Sequence, residues 1–206
     1  AQYHYGWDWG PRLVTSGIWR PVTLQPWNGA RINDIYFYLD SLSENSADYS
    51  IELSSESTKE IDAELTVRVA NKTTSHKIYL KQGGNNFKIK RNIINPVLWW
   101  PNGAGKQKLY DVELILTEKN RILHRKNKKI GVRNIDVIQN SDSLGNSFYI
   151  QVNNTPIFMK GANYIPGDFF NVRAANHYEQ VIHNAVEANM NMLRVWGGAV
   201  YENDEF

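Results

Sequence analysis

Between residues 30 and 139 the chain alternates apolar and polar side chains. Ile35, Phe37 and Leu39 stand at every second position. So do Tyr49, Ile51 and Leu53, then Ala63, Leu65, Val67 and Val69, then Ile78 and Leu80, then Phe87 and Ile89, then Val112, Leu114 and Leu116; Ile130, Val132 and Ile135 close the series. A period of two places the apolar members on one face of an extended strand and the polar members on the other, and a helix cannot satisfy it. About seven short strands follow, separated by turn-rich stretches such as Gln82-Gly83-Gly84-Asn85 and Glu118-Lys119-Asn120. Short strands at regular spacing, each with one wet face, predict a mainly β chain built on an antiparallel β-sandwich of immunoglobulin-like size.

The flanks read differently. Residues 13–24, "LVTSGIWRPVTL", have strand composition, interrupted by Gly17 and with Pro21 near the end, which suggests an edge or a bulge; no upstream partner is available to a strand this close to residue 1. Residues 140–147, "NSDSLGNS", mark a boundary. A hairpin is expected next, with Phe148, Ile150 and Val152 alternating inward, a turn at Asn153-Asn154, and a return through residues 156–159. The period then changes. "KGANYIP" reads as a short buried strand. Residues 174–189 read as a helix with Tyr178, Val181, Ile182, Ala185 and Val186 on one stripe and Asn189 as its stop. Met192, Leu193 and Val195 form a second short strand, broken at Gly197-Gly198. Strand, helix, strand is a parallel βαβ unit. One such unit cannot cover both faces of its sheet, and closure into a (β/α)8 barrel takes roughly 250 residues. The expectation is therefore the truncated start of a barrel, in a chain that is an internal piece of a larger protein.

Composition bounds the chemistry. The chain has no cysteine, so disulfides, thiol catalysis and thiolate metal sites are excluded. Net charge is +2, and the one basic cluster, His124 to Lys129, reads as a solvated hairpin tip rather than a nucleic-acid face. No run approaches the roughly 18 apolar residues of a membrane span. Five histidines show no ligand spacing, and neither a phosphate loop nor a serine-nucleophile motif is present, so no cofactor or metal is expected. The sequons at Asn71 and Asn153 are given no role. Aromatic content is the unusual figure, because the seven tryptophans cluster: Trp7, Trp9, Trp19 and Trp27 early, Trp99 and Trp100 adjacent, Trp196 near the end. Paired tryptophans at turns suit the apolar faces of sugars; for Trp19 and Trp27 a core-anchoring role is expected.

In order along the chain, "YGWDWGPR" (residues 5–12), "SGIWRPVTL" (16–24), "LWWPNGAGKQKLY" (98–110), "GVRNIDV" (131–137), "FYIQVNNTPIFMKGANYIPGDFF" (148–170) and "NMNMLRVWGGAVYENDEF" (189–206) resemble the β-mannosidases of glycoside hydrolase family 2. "WDWGPR" with "LRVWGG" carries the resemblance to β-mannosidases rather than to the family's other branches. One departure is Ala199, where the family has a third glycine. The resemblance implies three parts: residues 1–26, the last strands of a jelly-roll domain; 27–140, the immunoglobulin-like sandwich; and 141–206, a lead-in hairpin and the first two strands of a catalytic TIM barrel. It implies an exo-acting enzyme that releases terminal β-D-mannose with retention from an oligosaccharide or glycoside. The compartment is unassigned, periplasmic or secreted in a bacterium and lysosomal in an animal.

The resemblance also implies site residues. The loop carrying Asp8 and Trp9 leans toward the barrel mouth. A carboxylate ringed by indoles is desolvated and must find donors, either sugar hydroxyls or Arg12 or Arg20, and in the second case the cluster is interdomain packing. Trp196, just past the second barrel strand, lines the terminal-sugar site or else is a core tryptophan. Arg194 could orient the catalytic carboxylates, and Asn163 could hold the active-site wall. Retaining glycosidases need two carboxyl groups about 5–5.5 Å apart. In the family both are glutamates at the ends of the fourth and seventh barrel strands. Neither strand is in this chain, and Asp168, Glu202, Asp204 and Glu205 make no convincing pair, so the chain alone is expected not to turn over glycosides. Two alternatives stand beside this reading. One is another family 2 glycosidase, such as an exo-β-glucosaminidase; the other is a non-catalytic carbohydrate-binding or spacer sandwich.

Overall fold

The computed structural model describes residues 2–18, 20–203 and 205–206, without the side chain of Asn171. The expected anchor Trp19 and the carboxylate of Asp204 lie outside the described residues. The chain forms two compact units. One comprises Gln25–Trp100 and Gly105–Ile157; the other comprises Ala1–Leu24, Pro101–Ala104 and Phe158–Phe206.

The alternating region folds into β1 (Ala30–Leu42), β2 (Ser46–Ser57), β3 (Ile61–Val69), β4 (Lys72–Leu80), β5 (Gly83–Ile94), β6 (Tyr110–Glu118) and β7 (Arg121–Ile130). They pair antiparallel as two sheets, β1-β2-β5 and β4-β3-β6-β7. Register sets the core. Phe37 faces Ile51 and Ile51 faces Ile89 across one sheet, while Leu65 faces Leu116 and Val67 faces Leu114 across the other. These side chains meet in one buried cluster with Ile35, Leu53 and Leu80. A slip of one residue would turn every one of them to water. The fold is mainly β, as the alternation requires.

The basic run His124–Lys129 is not a hairpin tip. It lies within β7, and the turn before it is Lys119-Asn120, with φ of 48° and 65°, the left-handed pair that tight hairpins need. β7 is an edge strand, where lysines discourage pairing with other chains. Two of them also work inward: Lys126 Nζ donates to the carbonyl of Asn33 and Lys128 Nζ to that of Ile35, backbone acceptors on the edge strand β1. Trp27 is half-buried, with the Arg31 guanidinium 4.9 Å above its ring. Trp99 bridges to Gln107 and packs against Gly131, while Arg133 stacks 4.4 Å from its ring centre.

Three strands extend this unit, β8 (Ile135–Ile138) and, after a small ladder of β9 (Ser141–Asp142) with β10 (Gly145–Asn146), the hairpin β11 (Tyr149–Val152) and β12 (Thr155–Ile157), in the order β12-β11-β8. Asn153 and Asn154 take φ of 52° and 62° at its turn. Asn153 is buried; its amide donates to the Trp99 carbonyl and its carbonyl accepts from the Asn134 N–H, which gives that sequon asparagine a structural job. Phe148 does not point inward; it is 70% exposed, because it precedes β11 and lies outside the ladder that begins at Tyr149.

In the other unit, β13 (Gly161–Tyr164) and β14 (Met192–Val195) pair parallel, with Asn163 beside Arg194. Between them come the single-turn helix α1 (Asn171–Ala174), a 3-10 turn, and α2 (Tyr178–Glu187). Asn189, at φ 55°, ends the helical region as expected. Three local expectations fail here. β13 is exposed except for Tyr164; Ile182 and Val186 on the α2 stripe are 39% and 46% exposed; and the described residues of 13–24 form no strand, with Ile18, Val22 and Leu24 open to solvent. A strand needs a ladder partner, and none is present for residues 13–24 among the described residues. A two-stranded sheet with one helix likewise lacks the surface to bury its apolar positions.

Candidate functional site

The segment that precedes the first tryptophan pair is a 3-10 turn, Gln2–Tyr5. Gly6, at φ +110°, reverses the chain where a side chain would be strained. Trp7 and Gly10 then exchange reciprocal backbone hydrogen bonds of 3.1 Å, which leaves Asp8 and Trp9 as a two-residue loop. Gly10 lets Phe169 approach: a Cβ there would stand 2.7 Å from Phe169 Cζ, and the ring would have to shift.

Five aromatic rings close around this loop. Tyr3, 1% exposed, is the hub. It stacks on Trp9 at 6.0 Å and 28°, and meets Phe169 at 5.1 Å and Trp196 edge-on at 6.1 Å. Trp196 in turn receives Trp7 at 5.2 Å and Trp9 at 5.8 Å, both near T-shaped. Edge-to-face pairs of this kind each add about 0.5–1.5 kcal/mol beyond burial. The unit thus joins rings from residues 3–9 with rings from the loops that follow β13 and β14. In parallel α/β architecture those strand ends are where ligands bind. Trp7 and Trp9 stay 49% and 47% exposed, so their rings keep faces free for a ligand. Trp196 is half-buried, and Gly198 packs directly under its indole, leaving no room for a Cβ.

Asp8 sits at the loop tip and is exposed. The expectation of a desolvated carboxylate is therefore wrong, because a two-residue loop projects its first side chain outward. Its carboxylate takes no hydrogen bond or ion pair among the described residues, so the pairing with Arg12 or Arg20 does not form. Arg194 and Asn163 come together: the guanidinium Nη1 donates to Asn163 Oδ1 at 3.1 Å, both side chains exposed on one face of the β13–β14 pair. The ladder continues beyond them through the Trp196 N–H to the Tyr164 carbonyl at 2.9 Å, which seats the indole at the strand's end.

Glu202, expected to be a member of a solvated run, is instead gripped. Tyr164 Oη donates to one carboxylate oxygen at 2.6 Å and Tyr178 Oη to the other at 2.5 Å. Phe206 stacks on Tyr164 at 4.8 Å and meets Tyr178 edge-on. Burial, and then the bond to Glu202, push Tyr178 up to about 12 and raise Tyr164 above the usual phenol range. Tyr3 is raised too, by burial and then by the charges of Glu202 and Asp168; its hydroxyl, like the whole ring, is buried and without a hydrogen-bond partner. Asp168 is held below the usual carboxylate range by the Phe170 N–H and Arg173, at 2.7 and 2.9 Å. Both acids are thus engaged in holding loops. Among the described residues no group of three or more metal-ligating side chains forms, and no helix is long and apolar enough to cross a membrane.

Sequence reasoning missed Tyr3, Phe169 and the Glu202 clamp. Tyr3 and Phe169 lie within three residues of glycines that turn the chain, at Gly6 and Gly167, which is the signal that could have found them.

Comparison with known proteins places these features. The family model for "Glycosyl hydrolases family 2" matches residues 30–133, and that for "Glycosyl hydrolase 2 galactose-binding domain-like" matches residues 1–20. Beta-mannosidase B of Aspergillus fumigatus is 37% identical over 211 residues, covering all of this chain and 25% of that protein. The crystal structure of a β-D-mannosidase from Dictyoglomus thermophilum superposes with a TM-score of 0.95 at 42% identity, over all of this chain and 26% of that one. An exo-chitosanase from Amycolatopsis orientalis shares the fold at a TM-score of 0.71, with 22% identity over 87% of this chain and 21% of its own. The chain spans about a quarter of the length of the curated relatives it matches.

Proposed function

The chain belongs to family 2 of the glycosyl hydrolases, and from that premise we propose that it is the segment of an exo-acting β-mannosidase that builds the wall of the terminal-sugar site. The observation that carries the reading is the meeting of Trp7 and Trp9 with Trp196, 5.2 and 5.8 Å apart, from positions nearly 190 residues distant in sequence. Aromatic faces take the C–H face of a pyranose, and the exposed Asp8 carboxylate, acceptor only, takes its hydroxyls. Arg194 and Asn163 supply donors beside the ends of β13 and β14. Residues 1–26, 27–140 and 141–206 then correspond to the end of a jelly roll, the immunoglobulin-like sandwich, and the lead-in hairpin with the first two strands of a barrel. The parallel pair with its crossover helix and the identity to β-mannosidases over the full chain support this division.

Retention needs two carboxyl groups about 5–5.5 Å apart. With Asp168 and Glu202 bound in loop-holding roles, the reacting acids lie on further barrel strands, and residues 1–206 alone are inactive. The test is hydrolysis of an aryl β-mannoside and an aryl β-glucosaminide by the gene's full-length product and by this chain, with the product anomer followed by NMR. The reading expects mannose released first as the β-anomer by the long form only. First release of the α-anomer, preference for the glucosaminide, or turnover by residues 1–206 would overturn it.

A further inference from the structure

We infer that the outer face of the β1-β2-β5 sheet is a second, non-catalytic glycan-binding surface. On this face Tyr36 and Tyr38 stand two residues apart on β1, 58% and 42% exposed, their ring centres 5.1 Å apart and inclined by 31°. Two large rings held side by side and open to solvent in this way form a platform, not a core contact. The register places Tyr36 beside Glu52 and Glu52 beside Lys88, so aromatic, acidic and basic side chains line up across three strands. In the neighbouring row the short Ser54 of β2 stands between Asp34 of β1 and Asn86 of β5. The result is an open cleft of about 400 Å³.

The chemistry of the cleft selects its ligand. Lys88 Nζ bonds Glu52 at 2.9 Å and lies 5.7 Å over the Tyr38 ring; Lys128 lies 5.8 Å over Tyr36. Glu52 and Asp34 balance Lys88 and Lys128, so the cleft has no net charge with which to attract a phosphate backbone or an acidic polymer. It offers the exposed aromatic surface of Tyr36 and Tyr38 to apolar C–H groups, flanked by carboxylate acceptors and by donors on Lys88 and Asn86. A neutral chain of pyranoses presents the same alternation of C–H faces and hydroxyls. Ion pairs and cation–π contacts already hold Lys88 and Glu52 in place, so little side-chain order is lost on binding.

The surface lies on the sandwich and does not involve Asp8 or Trp196; only the choice of a mannose-based probe rests on the proposed function. The experiment is affinity electrophoresis of the chain in gels containing soluble β-1,4-galactomannan or, separately, soluble hydroxyethyl cellulose. It compares the wild type, the double variant Tyr36→Ala/Tyr38→Ala and Tyr38→Phe, each checked for fold by circular dichroism. The inference expects retardation of the wild type by at least one polymer. Affinity should fall about tenfold or more in the double variant and stay unchanged in Tyr38→Phe. Retardation by the cellulose derivative alone upholds the surface and counts against the mannoside reading. No retardation of the wild type by either polymer, or equal retardation of a folded double variant, overturns the inference.

Discussion

Replacing Glu202 by alanine tests whether its two tyrosine bonds hold the end of the chain on β13 and α2. The change strips the acceptor from two hydroxyls whose rings are 5% and 8% exposed. A hydrogen bond to a charged group contributes about 1.5–3 kcal/mol, and a buried donor left without a partner costs about 1–3 kcal/mol. Glu202 is half-buried, so water reaches part of the vacated site, and the two bonds share one carboxylate and do not add. A local loss of about 2 kcal/mol follows, a roughly 30-fold rise in the open population of the segment. The assay is native-state hydrogen exchange at the N–H of Trp196, bonded to Tyr164, and of Ala199, bonded to Trp196. Both amides should exchange about 30-fold faster in Glu202→Ala. In Glu202→Gln the rise should be smaller, since the amide oxygen still accepts from one tyrosine. Unchanged exchange at both amides in Glu202→Ala would refute the reasoning, because it would show that the clamp contributes nothing to seating Trp196.

Tyr178 titrates at about 12, above its unfolded range near 10. A raised phenol binds its proton longer when folded, so its stabilisation is complete below about pH 10 and is lost as pH rises through about 12. Phenolate absorbance during alkaline titration should show late-ionising tyrosines in the wild type and fewer in Glu202→Ala. Gly198→Ala drives a methyl group into the Trp196 indole; it should cost about 1–3 kcal/mol and shift the Trp7, Trp9 and Trp196 indole N–H resonances together. Leu114→Ala empties a fully buried position between β3 and β7; it should destabilise the sandwich by about 2–5 kcal/mol in thermal melts and leave those indole resonances where they are.

The sandwich was legible because burial enforces its pattern: Leu65, Val67 and Leu114 alternate in sequence since each faces a packed sheet. Turn chemistry was equally readable at Asn153-Asn154 and Asn189, where positive φ favours asparagine. Failures came where a pattern had no partner to act on. Residues 13–24 have strand composition without a ladder among the described residues, and Ile182 and Val186 on the α2 stripe stay exposed. The basic run misled because charge on an edge strand and charge at a turn look alike in sequence. In the candidate site, the resemblance named Trp9, Asn163, Arg194 and Trp196, and the structure brings Trp9 to Trp196 and Asn163 to Arg194. Glu202 escaped, since a two-tyrosine clamp joins residues 164, 178 and 202, whose spacing follows no period.

The account stands on Trp7, Asp8, Trp9 and Trp196 acting as one sugar site. Titration of the chain with methyl β-D-mannoside, followed through the indole N–H resonances, tests this most directly. The prediction is that Trp7, Trp9 and Trp196 shift along one common binding curve, and that Asp8→Asn weakens that curve by about tenfold while its thermal unfolding moves by less than about 0.5 kcal/mol. Resonances that stay still, curves that differ between the two ends of the chain, or full affinity in Asp8→Asn would contradict it.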